Sequence, residues 1–363
     1  MNSINEAHNQ SLLVAIFLLL MAPCFTANAA KLVSSWPVAS ADFDQEKIAS
    51  LDQAIEDDVY KRINSVIVIR DGALLVERYY NGADRDSTHN PRSVGKTFTA
   101  AILGIAIEEG HIKSLDQPLS DFYELDAYDN FSREKANVTL RQLITMTSGF
   151  DGYDFDRDSL GNEENMYPQA DWVEWTLNLP MAGDRNAGDE WRYFTAGIVV
   201  VGDILNQVVP GGLEVYAHDR FFGKLGITNY EWPHTPQHVV NTAGGIQLTP
   251  LDFAKFGEVH RNRGRWENES VLPSHWVEAT LRPDVETTVA GNRYGYLWWQ
   301  KTYEVAGEKW PVSYCAGNGG NKIFVFDKQE LVVVVTASAY GQPYMHSQVD
   351  EMMTQYILPS VAR

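Results

Sequence analysis

Cysteine is nearly missing from this chain: its 363 residues hold two, Cys24 and Cys315. The first falls in a stretch expected to be removed, so the mature chain has no internal disulfide to rely on and needs a large core. Positive charge is short as well. Lys and Arg number 29 against 48 Asp and Glu, a net charge of −19. Such a surface repels phosphate backbones and argues against nucleic acid as a partner. Beyond the first thirty residues no apolar run reaches the length of a membrane span. There is no Gly-x-Ser-x-Gly elbow, no His-Glu-x-x-His and no phosphate-binding glycine loop. His234 and His238 are four apart, but Pro236 between them argues against a shared helical face for zinc. Asp154, Asp156 and Asp158 start like a calcium loop. Ser159 then stands where the sharp-turn glycine belongs and Asn165 where the bidentate Glu belongs, so that match fails. No metal and no cofactor is expected.

What is present is ordinary in bulk, 44% apolar and 21% charged, as a globular protein requires. Residues 12–22 are apolar but too few to span a bilayer, and Pro23 and the small-residue run Ala27-Asn28-Ala29 follow. This reads as a signal peptide over 1–29, despite Glu6 and a missing N-terminal cation, with an uncleaved anchor as the alternative. It implies a secreted or periplasmic protein with no stable membrane insertion after cleavage.

Residues 65–69 and 73–80 are β-branched and aromatic runs joined by Arg70-Asp71-Gly72, a hairpin signal. Further strands are expected at 294–301, 310–315, 322–327 and 331–337, and helices at 45–61 and 344–357 flank the two strand sets. The middle reads as helices, at 97–110, 140–147, 172–177, 196–208 and 250–262. The expected class is α+β: one antiparallel sheet built from both ends of the chain and flanked by N- and C-terminal helices, with an inserted, mostly helical lobe. The sheet lobe would span about 30–92 and 240–363, the helical lobe about 93–239, with a cleft between them suited to a small molecule.

Ser93-Val94-Gly95-Lys96 opens a long apolar helix. Residues three apart on a helix share a face, so the lysine amine can reach the serine hydroxyl. Lysine takes that proton only if burial lowers its pKa, and an all-apolar helix supplies burial. The helix start also leaves the Ser93 N–H free to hold an oxyanion. Ser132-Arg133-Glu134-Lys135 has the same spacing in a polar stretch, where its lysine is expected to be solvated and charged.

With Ser93 in its buried helix, the chain resembles the β-lactamase-like serine hydrolases: class C β-lactamases, penicillin-binding D,D-peptidases, family VIII esterases and 6-aminohexanoate-dimer hydrolases. The stretches that carry the likeness are Leu115-Asp116-Gln117-Pro118, residues 139–149 (TLRQLITMTSG), Gly188-Asp189-Glu190-Trp191-Arg192-Tyr193, Ala243-Gly244-Gly245-Ile246 and Tyr294-Gly295-Tyr296-Leu297-Trp298-Trp299. The resemblance implies a β-lactamase/penicillin-binding-protein-like fold and an acyl-enzyme on Ser93. Lys96 would be the general base and Tyr193 the proton relay, at the place of the family's Tyr-x-Asn element. Thr195 stands where that element has Asn, which puts its substrate-binding role in question. The third element, Lys-Thr-Gly or His-x-Gly in relatives, is here Cys315-Ala316-Gly317-Asn318-Gly319-Gly320, with no cation. Its pattern is most similar to the aminohexanoate-dimer hydrolases. The implied second oxyanion donor is the Asn318 N–H, with Gly317 and Gly319 giving a substrate carbonyl close access.

The reading is therefore a hydrolase of a small-molecule ester or amide. A β-lactamase or D,D-peptidase is the first alternative, disfavoured by the missing cation. A catalytically silent ligand-binding module is the second. Residues 151–164 carry six acids and interleaved aromatics. They read either as a solvated loop or as a flap that favours substrates with a free amine.

Overall fold

The computed structural model describes residues 36–37, 43–283 and 285–362; the expected signal peptide lies outside these. The described residues group into one compact unit. Ten strands occur among the described residues: β1 (Ile63–Arg70), β2 (Ala73–Tyr79), β3 (Arg265–Trp266), β4 (Glu269–Ser270), β5 (Val285–Glu286), β6 (Arg293–Tyr294), β7 (Trp299–Val305), β8 (Glu308–Gly317), β9 (Asn321–Phe326) and β10 (Leu331–Ala337). The helices are α1 (Gln45–Glu56), α2 (Gly95–Glu108), α3 (Arg133–Ala136), α4 (Leu140–Ile144), α5 (Glu163–Met166), α6 (Trp172–Asn178), α7 (Thr195–Val208), α8 (Leu213–Ala217), α9 (Pro250–Arg261), α10 (Ser274–Thr280), α11 (Ser347–Met352) and α12 (Leu358–Val361).

Eight strands form one antiparallel sheet in the order β2-β1-β10-β9-β8-β7-β6-β5. Its centre joins the two chain ends, since β1 pairs with β10 from Ile63↔Ala337 to Arg70↔Leu331. Asp71 and Gly72, both at positive φ, make the β1–β2 turn, as the Asp-Gly pair predicts. Every residue of β9 and β10 is buried, so both sheet faces are covered. α9 packs against β1, β9 and β10. α1 meets the C-terminal helices, where the Asp44 N–H donates to the Ser360 carbonyl at 2.8 Å. Between β2 and β3 the described chain has helices and turns but no named strand.

The strand expected across 294–301 is two strands with a break. A side chain on Gly295 would press on the Arg282 and Thr280 carbonyl oxygens, at 2.8 and 3.0 Å. Leu297 takes φ 65°, and its N–H donates to Ile144 O at 3.0 Å. The ladder stops there because the backbone turns to bond α4.

α2 is apolar all round, and every residue from Gly95 to Ala106 is buried, as expected of a helix with no polar face. Phe98 stacks on Phe256 of α9 with centroids 3.9 Å apart, and Phe221, Phe222 and Phe253 close around it. That cluster fixes α2 against the helix lying on the sheet. Ser93 sits on the single turn that leads into α2.

Candidate active site

The Lys96 amine donates to the Ser93 hydroxyl at 2.8 Å. Lys96 is 1% exposed and forms no ion pair among the described residues. Burial lowers its pKa, while the carboxylates of Glu163 and Asp154 pull the other way. A buried amine touching a hydroxyl and no acid is in place to accept a proton.

Tyr193 faces the same hydroxyl and lies under the Lys96 amine, 5.2 Å from its ring centre. Burial is the main cause that holds the phenol far above its ordinary pKa. Ser93 opposes the shift, and Glu163 and Asp154 add to it. Tyr193 is therefore a neutral phenol, able to pass a proton. Phe155 stacks over it at 5.2 Å and Trp299 at 6.0 Å, and Trp191 and Tyr294 complete an aromatic wall.

No regular element carries Tyr193; backbone bonds hold it instead. The N–H groups of Arg192 and Phe194 donate to the carbonyl and sulfur of Met146, at 2.8 and 3.2 Å. Met146 is buried at φ 60°. The Asp154 N–H donates to Tyr193 O at 2.8 Å, and the Thr195 N–H to Asp154 Oδ2 at 2.7 Å. Thr195 itself is fully buried, which leaves no surface for the substrate contact weighed for it.

β8 ends against the Ser93 turn. A methyl on Gly317 would collide with the Pro91 carbonyl oxygen and stand 3.2 Å from Ser93 N. Neither the Ser93 nor the Asn318 N–H donates to another protein group among the described residues. The Asn318 side-chain oxygen accepts the Gly341 N–H at 2.8 Å, and its carbonyl accepts from Asn321 at 2.8 Å. This turn is thus braced with its N–H unused. Gly319 answers a different need from the one expected. Its missing side chain makes room for Tyr340 and the Ala337 carbonyl, at 2.7 and 2.8 Å. Cys315, earlier on β8, is a buried thiol facing Thr97, its pKa pushed up by burial.

Lys135 corrects an expectation. It is 0% exposed, its amine donates to the carbonyls of Asp129 and Leu177 at 2.9 and 2.8 Å, and burial lowers its pKa to about 8. The polar sequence around it concealed those carbonyls. Ser132 caps α3 by accepting the Lys135 N–H at 3.0 Å. Burial alone does not separate the two Ser-x-x-Lys matches. What each amine faces does, a hydroxyl at Lys96 and carbonyls at Lys135.

The scattered stretches that carried the resemblance converge in space. Asp116 pairs with Arg141 at 2.8 Å, and Arg141 also donates to the Tyr296 hydroxyl. Thr139 and Gln142 form a reciprocal cap on α4. The acids of 151–164 divide. Asp156, Asp158 and Glu164 are exposed, whereas Asp151, Asp154 and Glu163 are half-buried; nothing in the sequence distinguished those three.

The antiparallel sheet with its helical insert is a β-lactamase/penicillin-binding-protein-like fold. The family model described as Beta-lactamase matches residues 51–351, and the chain belongs to that family of hydrolases. Among solved structures, a Bacillus anthracis protein provisionally named a 6-aminohexanoate-dimer hydrolase superposes with TM-score 0.72 at 19% identity, covering 89% of this chain and 87% of that one. EstCE1, a hydrolase with promiscuous acyltransferase activity, gives 0.70 at 16%, covering 88% and 98%. An octameric penicillin-binding protein homologue from Pyrococcus abyssi gives 0.63 at 18%, covering 86% and 76%. No curated protein sequence matches.

Proposed function

We propose that this protein hydrolyses carboxylic esters or amides through an acyl-Ser93 intermediate. The observation that carries the reading is the 2.8 Å contact between a wholly buried lysine amine and the Ser93 hydroxyl. Lys96 takes the hydroxyl proton as Ser93 Oγ bonds to the substrate carbonyl carbon. The oxygen that becomes negative lies between the Ser93 and Asn318 N–H groups. As the tetrahedral species collapses, Tyr193 gives its proton to the leaving group and takes the one held by Lys96. Water then follows the same route in reverse, releasing the acid.

Esters and amides rank above β-lactams and D-alanyl peptides because Cys315, an uncharged buried thiol, stands where those branches place a cation. The names of structural neighbours fall on both sides, a family VIII carboxylesterase and a D-stereospecific amidohydrolase beside penicillin-binding proteins, so the ranking rests on Cys315. The test is a turnover panel of short p-nitrophenyl esters, nitrocefin, D-alanyl peptides and a linear ω-amino acid dimer, run beside a fluorophosphonate probe. Turnover of esters or the dimer, with Ser93 labelled and Ser93→Ala silent, is the expected result. An unlabelled protein would favour a silent binding module instead, and turnover of nitrocefin alone would favour a β-lactamase.

A further inference from the structure

We infer that Asp154 is a positioning residue for the Tyr193–Lys96 pair, clamping the tyrosine and holding a carboxylate charge behind it. This rests on the hydrolase reading above and assigns a role that reading leaves open.

The clamp is visible in three bonds. The Asp154 N–H holds Tyr193 O at 2.8 Å, Oδ2 accepts the Thr195 N–H at 2.7 Å, and Oδ1 accepts the Glu163 N–H at 2.9 Å. Asp154 thus grips both sides of Phe194 and ties that tripeptide to α5. α7 needs such a partner. Phe194 stands at its cap position with no side chain able to accept, and its first turn has no acid. The Asp154 carboxylate serves as the missing cap from across the loop and meets the positive end of a 14-residue helix. Two N–H donors claim both oxygens, so an amide, with one acceptor, keeps only one of them.

The charge acts on Lys96. The groups that meet that amine, Ser93 and Tyr193, are neutral, and no cation shifts its ionisation. The charged neighbours are Asp154 and Glu163, and both favour the ammonium form. Removing either charge lets Lys96 lose its proton at lower pH. Asp154 itself is pushed up to about 6, first by burial and then by Glu163. Its carboxylate form is kept by the same bonds that hold Thr195.

Three variants separate clamp from charge: Asp154→Asn, Asp154→Ala and Glu163→Gln. Each is compared with the wild type by kcat/KM against pH on a p-nitrophenyl ester, with fluorophosphonate titration of Ser93 and thermal melting. Asp154→Asn should move the acid limb of the profile down by about one pH unit, with a plateau kcat within about tenfold of wild type. Glu163→Gln, which makes no bond to residues 193–195, should move the limb and leave the plateau alone. Asp154→Ala should move the limb and lower plateau kcat about 100-fold with little change in KM. An acid limb that stays in place in both Asn and Gln variants overturns the inference while the hydrolase reading stands. A wild type that neither turns over ester nor takes the probe sinks the hydrolase reading first.

Discussion

Gly317→Ala should disable the Ser93 site while leaving the fold standing. The added methyl would meet backbone atoms, the Pro91 carbonyl oxygen and, at 3.2 Å, Ser93 N. Neither can swing aside as a side-chain tip would. One of the two backbones must give by roughly an ångström. β8 is held by β7 as far as Tyr314 and by β9 from Ser313 through Gly317, so the Pro91–Ser93 turn is the part that moves. It has little slack, because Gly244 already packs on its far side, where a methyl would stand 2.8 Å from Arg92 O and 3.4 Å from Ser93 N. Arg92 is also held at φ 55°, an uncommon conformation for a non-glycine residue. Overpacking of this kind costs about 1–3 kcal/mol of stability, which lowers the melting temperature by a few degrees. Displacing a reacting group by such a distance costs about 100-fold in rate. The assay is kcat/KM on a p-nitrophenyl ester together with the second-order rate of fluorophosphonate labelling. Both should fall about 100-fold in a protein that still melts cooperatively. A Gly317→Ala variant with wild-type labelling and turnover would refute the argument that β8 sets the position of Ser93.

His260 and Lys135 provide two further tests, away from the reacting atoms. His260 is buried between Phe256 and Trp298, with Nδ1 on the Phe256 carbonyl at 2.9 Å, and burial lowers its pKa to about 4. The folded state keeps the ring neutral while the unfolded chain protonates below about 6.5. Its contribution is therefore complete above pH 6.5 and is lost as pH falls toward 4, by up to roughly 3 kcal/mol. Urea unfolding of wild type and His260→Phe at pH 7.5 and 4.5 should show the wild type losing ground at the lower pH; a difference that does not change with pH contradicts this. Lys135→Met strands the Asp129 and Leu177 carbonyls without donors, at a cost of about 1–3 kcal/mol each. It should lower the melting temperature and leave kcat/KM within a few-fold, and a large loss of activity in a stable variant would contradict a purely structural role.

What the sequence discloses about this molecule is mostly local. Ser93 and Lys96 are legible because helical spacing and an unbroken apolar run are both local facts, and together they predict contact and burial. The hairpin at Asp71-Gly72 and the pairing of the two strand sets are legible from periodicity and turn chemistry. The rest is set by partners far along the chain. Leu297 leaves the ladder for a carbonyl on α4, and Lys135 is buried by a carbonyl 42 residues away. Asp154 looks like any acid of its loop until its bond to Thr195, 41 residues on, is seen. Gly319 illustrates the same limit: a glycine-rich turn advertises close approach without saying what approaches.

The pairing of β1 with β10 carries a consequence for biogenesis. Two apolar strands leave the ribosome more than 250 residues before the one that will lie between β1 and β9. At ordinary elongation rates that interval is on the order of tens of seconds. Gly317, which packs on the Pro91–Ser93 turn, comes from the same late part of the chain. The β1–β2 hairpin therefore waits with one edge of β1 unpaired until residues 331–337 have been made.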